Sequence, residues 1–138
     1  MAGSLNGAGA AAGAAQQLIA RLLDQRCAWV PLPDTPIEVK VQRPAEAELA
    51  DYLVHGADGK ATLRVGLAQV QACVVDWRHA TEAALLGAAI GGDEVVPFDA
   101  ALWALVVADR HAWVQAVATA VLQQITAHYQ ALEDARGN

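Results

Sequence analysis

Apolar residues recur at helical spacing over most of the chain and at alternating spacing over one short stretch. Leu18, Ile19, Leu22 and Leu23 stand at i, i+1, i+4 and i+5, which predicts a short helix over 16–26. A proline-dense segment follows, with Pro31, Pro33, Pro36 and Pro44, through which no helix can continue. Two strands fit there, 28–32 and 37–42. In the second, Ile37, Val39 and Val41 alternate with Glu38, Lys40 and Gln42, the signature of a strand with one wet face. Pro33, Asp34, Thr35 and Pro36 supply the turn of a small hairpin.

Beyond Pro44 the helical period returns. Glu46 and Glu48 place negative charge in a first turn, Leu49, Tyr52 and Leu53 give that helix an inward face, and Asp58 with Gly59 makes a turn after His55 and Gly56. Over 60–79, Leu63, Leu67, Val70, Val74 and Trp77 are spaced 4, 3, 4 and 3, which predicts a core helix. A short unit at 81–87 precedes a break at Gly91, Gly92 and Asp93. Asp99 then stands where an N-cap belongs, ahead of Leu102, Trp103, Val106 and Val107. The last helix carries Val114, Val117, Val121, Ile125 and Leu132, with Tyr129 beside them.

The fold class implied is mainly α: a compact helical domain of about five helices over residues 16–138 with a small N-terminal β-hairpin. The Gly/Ala-rich residues 1–15 offer little to anchor them and read as a flexible tail. The glycines at Gly7, Gly9 and Gly13 follow no strand, so a phosphate-binding loop is not indicated. A length of 138 residues sets the limit at one domain. The chain is 55% apolar yet only 5% aromatic, so alanine, the best helix former, supplies the excess.

Charge and chemistry narrow the function. A net charge of -6 lacks the basic footprint that a nucleic acid or an anionic membrane surface requires. The stretch 111–132 contains no Asp, Glu, Lys or Arg. Gln115, Gln123, Gln124 and Gln130 make it a soluble amphipathic helix instead of a membrane span. The first twenty residues contain no Lys or Arg, so no signal peptide is read. Cys27 and Cys73, far apart and without a CxxC, read as buried thiols of a reducing cytosol, and no metal or cofactor is expected.

Catalytic pairings are not found either. Ser4, the sole serine, lies in the tail, and Cys73 and His79 are six apart, off a common helix face. His55, His79, His111 and His128 form no ligand spacing, and the pairs Glu46/Glu48 and Asp93/Glu94 fall at a helix start and in a loop. No catalytic residue is assigned. What stands out is four tryptophans against one phenylalanine. Large aromatics can fill the gaps between small-residue helices, and one or two can anchor a protein partner. The candidate protein-binding residues are Trp77, Phe98, Trp103 and Trp113.

Three stretches together carry a family likeness: Cys73-Val-Val-Asp-Trp77 followed by Thr81-Glu-Ala-Ala-Leu-Leu-Gly87, then Val96-Pro-Phe-Asp-Ala-Ala-Leu-Trp103, then a terminal helix ending near Asn138. Over roughly residues 37–138 the chain resembles the small tail assembly chaperones of long-tailed bacteriophages, with Asp99 where a Ser or Thr cap is common. The resemblance implies a non-enzymatic factor in the host cytoplasm that binds the tape measure protein, keeps it soluble and helps recruit the major tail protein. It also implies a longer, frameshifted product of the same message. Two other readings stand beside it, a minor tail or connector protein retained in the particle and a small bacterial protein-binding module. Self-association of the chain is left open.

Overall fold

The computed structural model describes residues 2–87 and 90–137. The architecture is mixed α/β, with six helical segments and five strands among the described residues, in place of a mainly α domain of about five helices. In chain order the elements are α1 (Ala2–Gln25), β1 (Cys27–Pro31), β2 (Glu38–Gln42), a 3-10 helix (Glu46–Tyr52), β3 (Leu53–His55), β4 (Ala61–Leu63), α2 (Leu67–Cys73), β5 (Val74–Arg78), α3 (Glu82–Leu86), α4 (Ala100–Ala108) and α5 (His111–Gly137).

The hairpin of β1 and β2 forms where the alternating pattern places it, with Ala28 opposite Val41 and Val30 opposite Val39. Thr35 holds its turn: its hydroxyl donates to Leu32 O at 3.1 Å and accepts from Ile37 N at 3.1 Å. Strand β5 joins on the far side of β2, completing an antiparallel sheet in the order β1-β2-β5. Helices α2, α4 and α5 pack on one another, α5 lies across β1 and β2, and α2 packs against β5. The core lies between these layers, where Ile37, Val39, Val41, Val70 and Trp77 meet Trp103, Val107, Trp113, Val117, Val121 and Ile125.

Two expected helices are corrected. The segment 60–79 is not one helix. Ala61–Leu63 is a strand paired with Leu53–His55, Gly66 starts α2, and the chain changes to β5 at Val74. At its last two positions, Val74 and Trp77, the apolar spacing was misleading because β5 contains a β-bulge. Lys40 pairs with Asp76 and Val41 with Val74, leaving Val75 as an extra residue. Val74 and Trp77, three apart, therefore both face the core, as they would on a helix. The helix expected after Pro44 is a 3-10 helix that ends at Tyr52, and Leu53 already belongs to β3. The turn at Asp58 and Gly59 closes this second hairpin: Gly59 has φ 79°, a value glycine adopts without strain, and Asp58 Oδ1 accepts from Lys60 N at 3.0 Å.

At the N-terminus the Gly/Ala segment read as a tail follows, from Ala2 onward, the same helix as 16–25. Alanine at half of positions 2–15 favours that path, against about 1 kcal/mol for each glycine. Contact with the body is made at the α1–β1 junction, where Lys40 Nζ meets Asp24 Oδ1 at 2.7 Å. The remaining caps follow the sequence. Thr81 Oγ1 accepts from Ala84 N at 3.1 Å to start α3, and Asp99 Oδ1 accepts from Leu102 N at 2.8 Å to start α4.

Candidate functional site

Three of the four aromatic candidates are core residues, and Phe98 packs against them. Trp103 is fully buried and its indole Nε1 donates to Val70 O at 3.3 Å. Trp113 is buried against it, with the Arg110 guanidinium 5.0 Å from its ring centroid. Trp77 is buried, donates through Nε1 to Val96 O at 2.8 Å, and meets Phe98 edge to face at 5.2 Å. Phe98, half-buried, packs on the same core. These side chains fill the space that small-residue helices leave, and none of the three tryptophans offers a surface anchor in this conformation. The fourth, Trp29, is 36% exposed. The signal that would have found it is strand parity: Trp29 stands opposite Lys40, on the wet side of the β2 alternation.

The exposed apolar residues lie elsewhere, and they are large. On α1, Leu18 (55% exposed), Ile19, Leu22 and Leu23 (40%) form a ridge that the body does not cover. From Ala2 to Ala20 the helix carries no charged residue. A helix with one apolar stripe and nothing packed on it presents a surface for another amphipathic helix.

A second open surface lies between β1 and the outer side of α5. A groove of about 440 Å³ is walled by Ala28, Trp29 and Pro31 on one side and by Ala116, Thr119, Ala120 and Gln123 on the other. A further hollow of about 440 Å³ continues along α5 past Leu122, Thr126 and Gln130. In the first groove Gln124 bridges the layers, its Nε2 donating to Val41 O at 2.9 Å and to Arg26 O at 3.4 Å. Its Oε1 is buried and has no hydrogen-bond partner among the described residues.

Backbone pairing leaves one side of β1 free. Arg43 N donates to Arg26 O at 2.9 Å and Leu32 N to Ile37 O at 2.9 Å. Residues 26 and 32 therefore bond across to the β2 side, and by the two-residue alternation of an antiparallel ladder so do Ala28 and Val30. The peptide groups of Cys27, Trp29 and Pro31 point the other way. No hydrogen bond to them arises from the described residues.

The wet face of the sheet is laced by charge pairs. Arg78 donates to both carboxylate oxygens of Glu38, at 2.9 and 3.2 Å, and its guanidinium carbon lies 4.2 Å from the Trp29 ring centroid. The hydrogen bond from Arg78 holds the Glu38 carboxyl below its ordinary range, and the same bond raises the guanidinium pKa further. The hydrogen bond to Asp24 raises that of Lys40. In the interior, Tyr52 Oη and Cys73 Sγ lie 3.3 Å apart, and burial pushes both groups up, so both are protonated at neutral pH. A protonated thiol beside a phenol is a poor nucleophile. His55, His79 and His111 are exposed, and His128 meets Glu46 Oε1 at 2.7 Å. Among the described residues no cluster of three or more His, Cys, Asp or Glu is placed to hold a metal ion, and no described helix is long and apolar enough to cross a membrane. What this arrangement offers chemically is contact: an apolar ridge, a small-residue groove and an open strand edge.

Neither family models, nor curated proteins, nor solved structures match the chain.

Proposed function

We propose that the chain is a non-enzymatic tail assembly chaperone of a long-tailed bacteriophage, acting in the host cytoplasm on the tape measure protein and helping to recruit the major tail protein. The sequence support is the resemblance over roughly residues 37–138, and Asp99 caps α4 as the Ser or Thr of that pattern would. The observation that carries the reading is the α1 ridge of Leu18, Ile19, Leu22 and Leu23, exposed along a helix free of charge as far as Ala20. A long helical client such as a tape measure protein exposes apolar stripes before assembly. A matching ridge covers such a stripe without burying an unpaired charge.

Reversibility follows from the same composition. A single ridge of aliphatic side chains buries little area compared with an obligate interface, so the client is held and then released. The test is co-expression with the tape measure protein from the same phage. The expected result is a soluble client that co-purifies with the chain. A client that stays insoluble and uncaptured with the chain present in excess overturns the reading.

A further inference from the structure

We infer that two copies of this chain pair through the free edge of β1 to form a two-fold dimer with one continuous six-stranded sheet. The inference stands apart from the chaperone reading and concerns the purified chain alone.

The two edges of the sheet differ in kind. Strand β5 is blunted as natural edges usually are: it carries Asp76 and Arg78, it contains the bulge at Val75, and Asp76 Oδ1 takes up the Trp77 amide at 2.8 Å. Strand β1 has none of these devices. Its five residues carry no charge, its only proline is the last residue, and Ala28, which faces the helix layer, is exposed for want of a neighbour. An unprotected, uncharged edge is a template for another strand.

A second copy of β1 fits that edge in one register. With Trp29 opposite Trp29 of the second copy, the outward peptide groups meet as hydrogen-bonded pairs. Each Trp29 amide donates to the other copy's Trp29 carbonyl, and each Cys27 amide donates to the other copy's Pro31 carbonyl. The missing amide of Pro31 leaves only the Cys27 carbonyl without a partner. Ala28 then stands beside Val30 of the second copy, closing the open inner edge.

The helix layer closes with the same symmetry. Strands lie about 4.8 Å apart, so β1 and β2 fall about 2.4 and 7 Å from the two-fold axis. Helix α5 packs across both strands. Its axis then falls about 5 Å from the two-fold, and the two α5 helices lie about 10 Å apart, within reach of ordinary helix packing. Of the residues that α5 turns to the groove, Ala116, Thr119, Ala120 and Ala127 are small, as such an approach requires, and Gln123 and Gln124 between them are long but uncharged.

Sedimentation velocity on the purified chain tests this. The expected species has twice the 14.4 kDa mass of one chain. Trp29→Pro removes an amide that points away from β2, so the hairpin keeps its ladder while the dimer dissociation constant rises by about 100-fold or more. Ala28→Lys, at an exposed position, serves if the proline variant fails to fold. It is expected to give a monomer whose thermal unfolding matches that of the parent's own monomer. A parent chain that is monomeric throughout the micromolar range overturns the inference, including one that adds a foreign extended peptide to β1. A dimer that survives both substitutions overturns it as well.

Discussion

The indole rings of Trp103 and Trp113 lie 6.4 Å apart, centroid to centroid, with planes 6° from parallel. One comes from α4 and the other from α5, so this offset stack sets how closely the two helices approach after the turn at Asp109 and Arg110. Trp103 also donates to Val70 O, and Gln71 Nε2 donates to Ala104 O at 2.9 Å, which ties α2 to the same pair. Three helices thus share one aromatic centre.

Trp103→Ala empties that centre. Truncation of a fully buried tryptophan is expected to destabilise by about 3 to 5 kcal/mol, and the Val70 carbonyl loses its donor as well. Urea unfolding of the parent and the variant measures the difference. A loss below about 1 kcal/mol would mean that the site collapses without cost and that the stack carries little of the stability.

Asp99→Ala removes the side chain that accepts from Leu102 N and is expected to cost about 1 kcal/mol. Asp99→Ser keeps an acceptor at the same place and is expected to retain most of that stability. The comparison of the two variants by thermal unfolding separates the cap from any other role of the residue.

The elements that were legible in the sequence are those whose local signal and packed environment agree. Asp99 ahead of an apolar run reads as a cap and is one; Val39 and Val41 alternate with charged neighbours and line the core; Val117, Val121 and Ile125 lie four apart on one buried face. The failure at the end of 60–79, where α2 gives way to β5, has a local cause. The bulge at Val75 converts the two-residue period of a strand into a three-residue spacing that imitates a helix. Gly66, inside that stretch, was the contrary signal, since its amide accepts no helical role and instead donates to Gln69 Oε1 at 3.0 Å as the start of α2. The burial of Trp77, Trp103 and Trp113 was not legible for a different reason. Residue type alone does not separate a tryptophan that fills a core from one that meets a partner, and Trp29, the exposed one, is marked only by its strand parity.

The Glu38–Arg78 pair gives a pH dependence of known sign. Because Arg78 holds the folded-state carboxyl below its ordinary range, Glu38 contributes stability that is present above the unfolded-state value and is lost as pH falls through the lowered one. Glu38→Gln is therefore expected to differ from the parent near neutral pH and to match it in acid. The effect is small, since the pair is exposed and screened. Urea midpoints for both proteins across the acid range provide the measurement, and a difference that grows in acid would contradict the sign.

The two thiols should differ in reactivity. Cys73 is 5% exposed and burial raises its pKa, while Cys27 is half-buried and its thiol donates to Leu23 O at 3.2 Å. At neutral pH a disulfide reagent is expected to modify Cys27 slowly and to leave Cys73 untouched until the chain unfolds. Spectroscopic titration of released thiolate, before and after denaturant, counts both groups. Two fast equivalents under native conditions would place Cys73 outside the core.

Leu18 and Leu22 stand one helical turn apart on the α1 ridge, and neither packs on the body. Replacing both with serine removes apolar contact that only a partner would make. The folded chain alone therefore loses little stability, about 0.5 kcal/mol or less per position. Under the proposed function, client capture should respond in the opposite way, because the ridge would then supply the burial that holds an amphipathic helix. The expected pattern is an unchanged unfolding transition together with loss of tape measure co-purification. If the double variant unfolds several degrees lower, the ridge is a structural face of the monomer. If it melts normally and still captures the client, the contact lies elsewhere on the molecule and the role assigned to α1 fails.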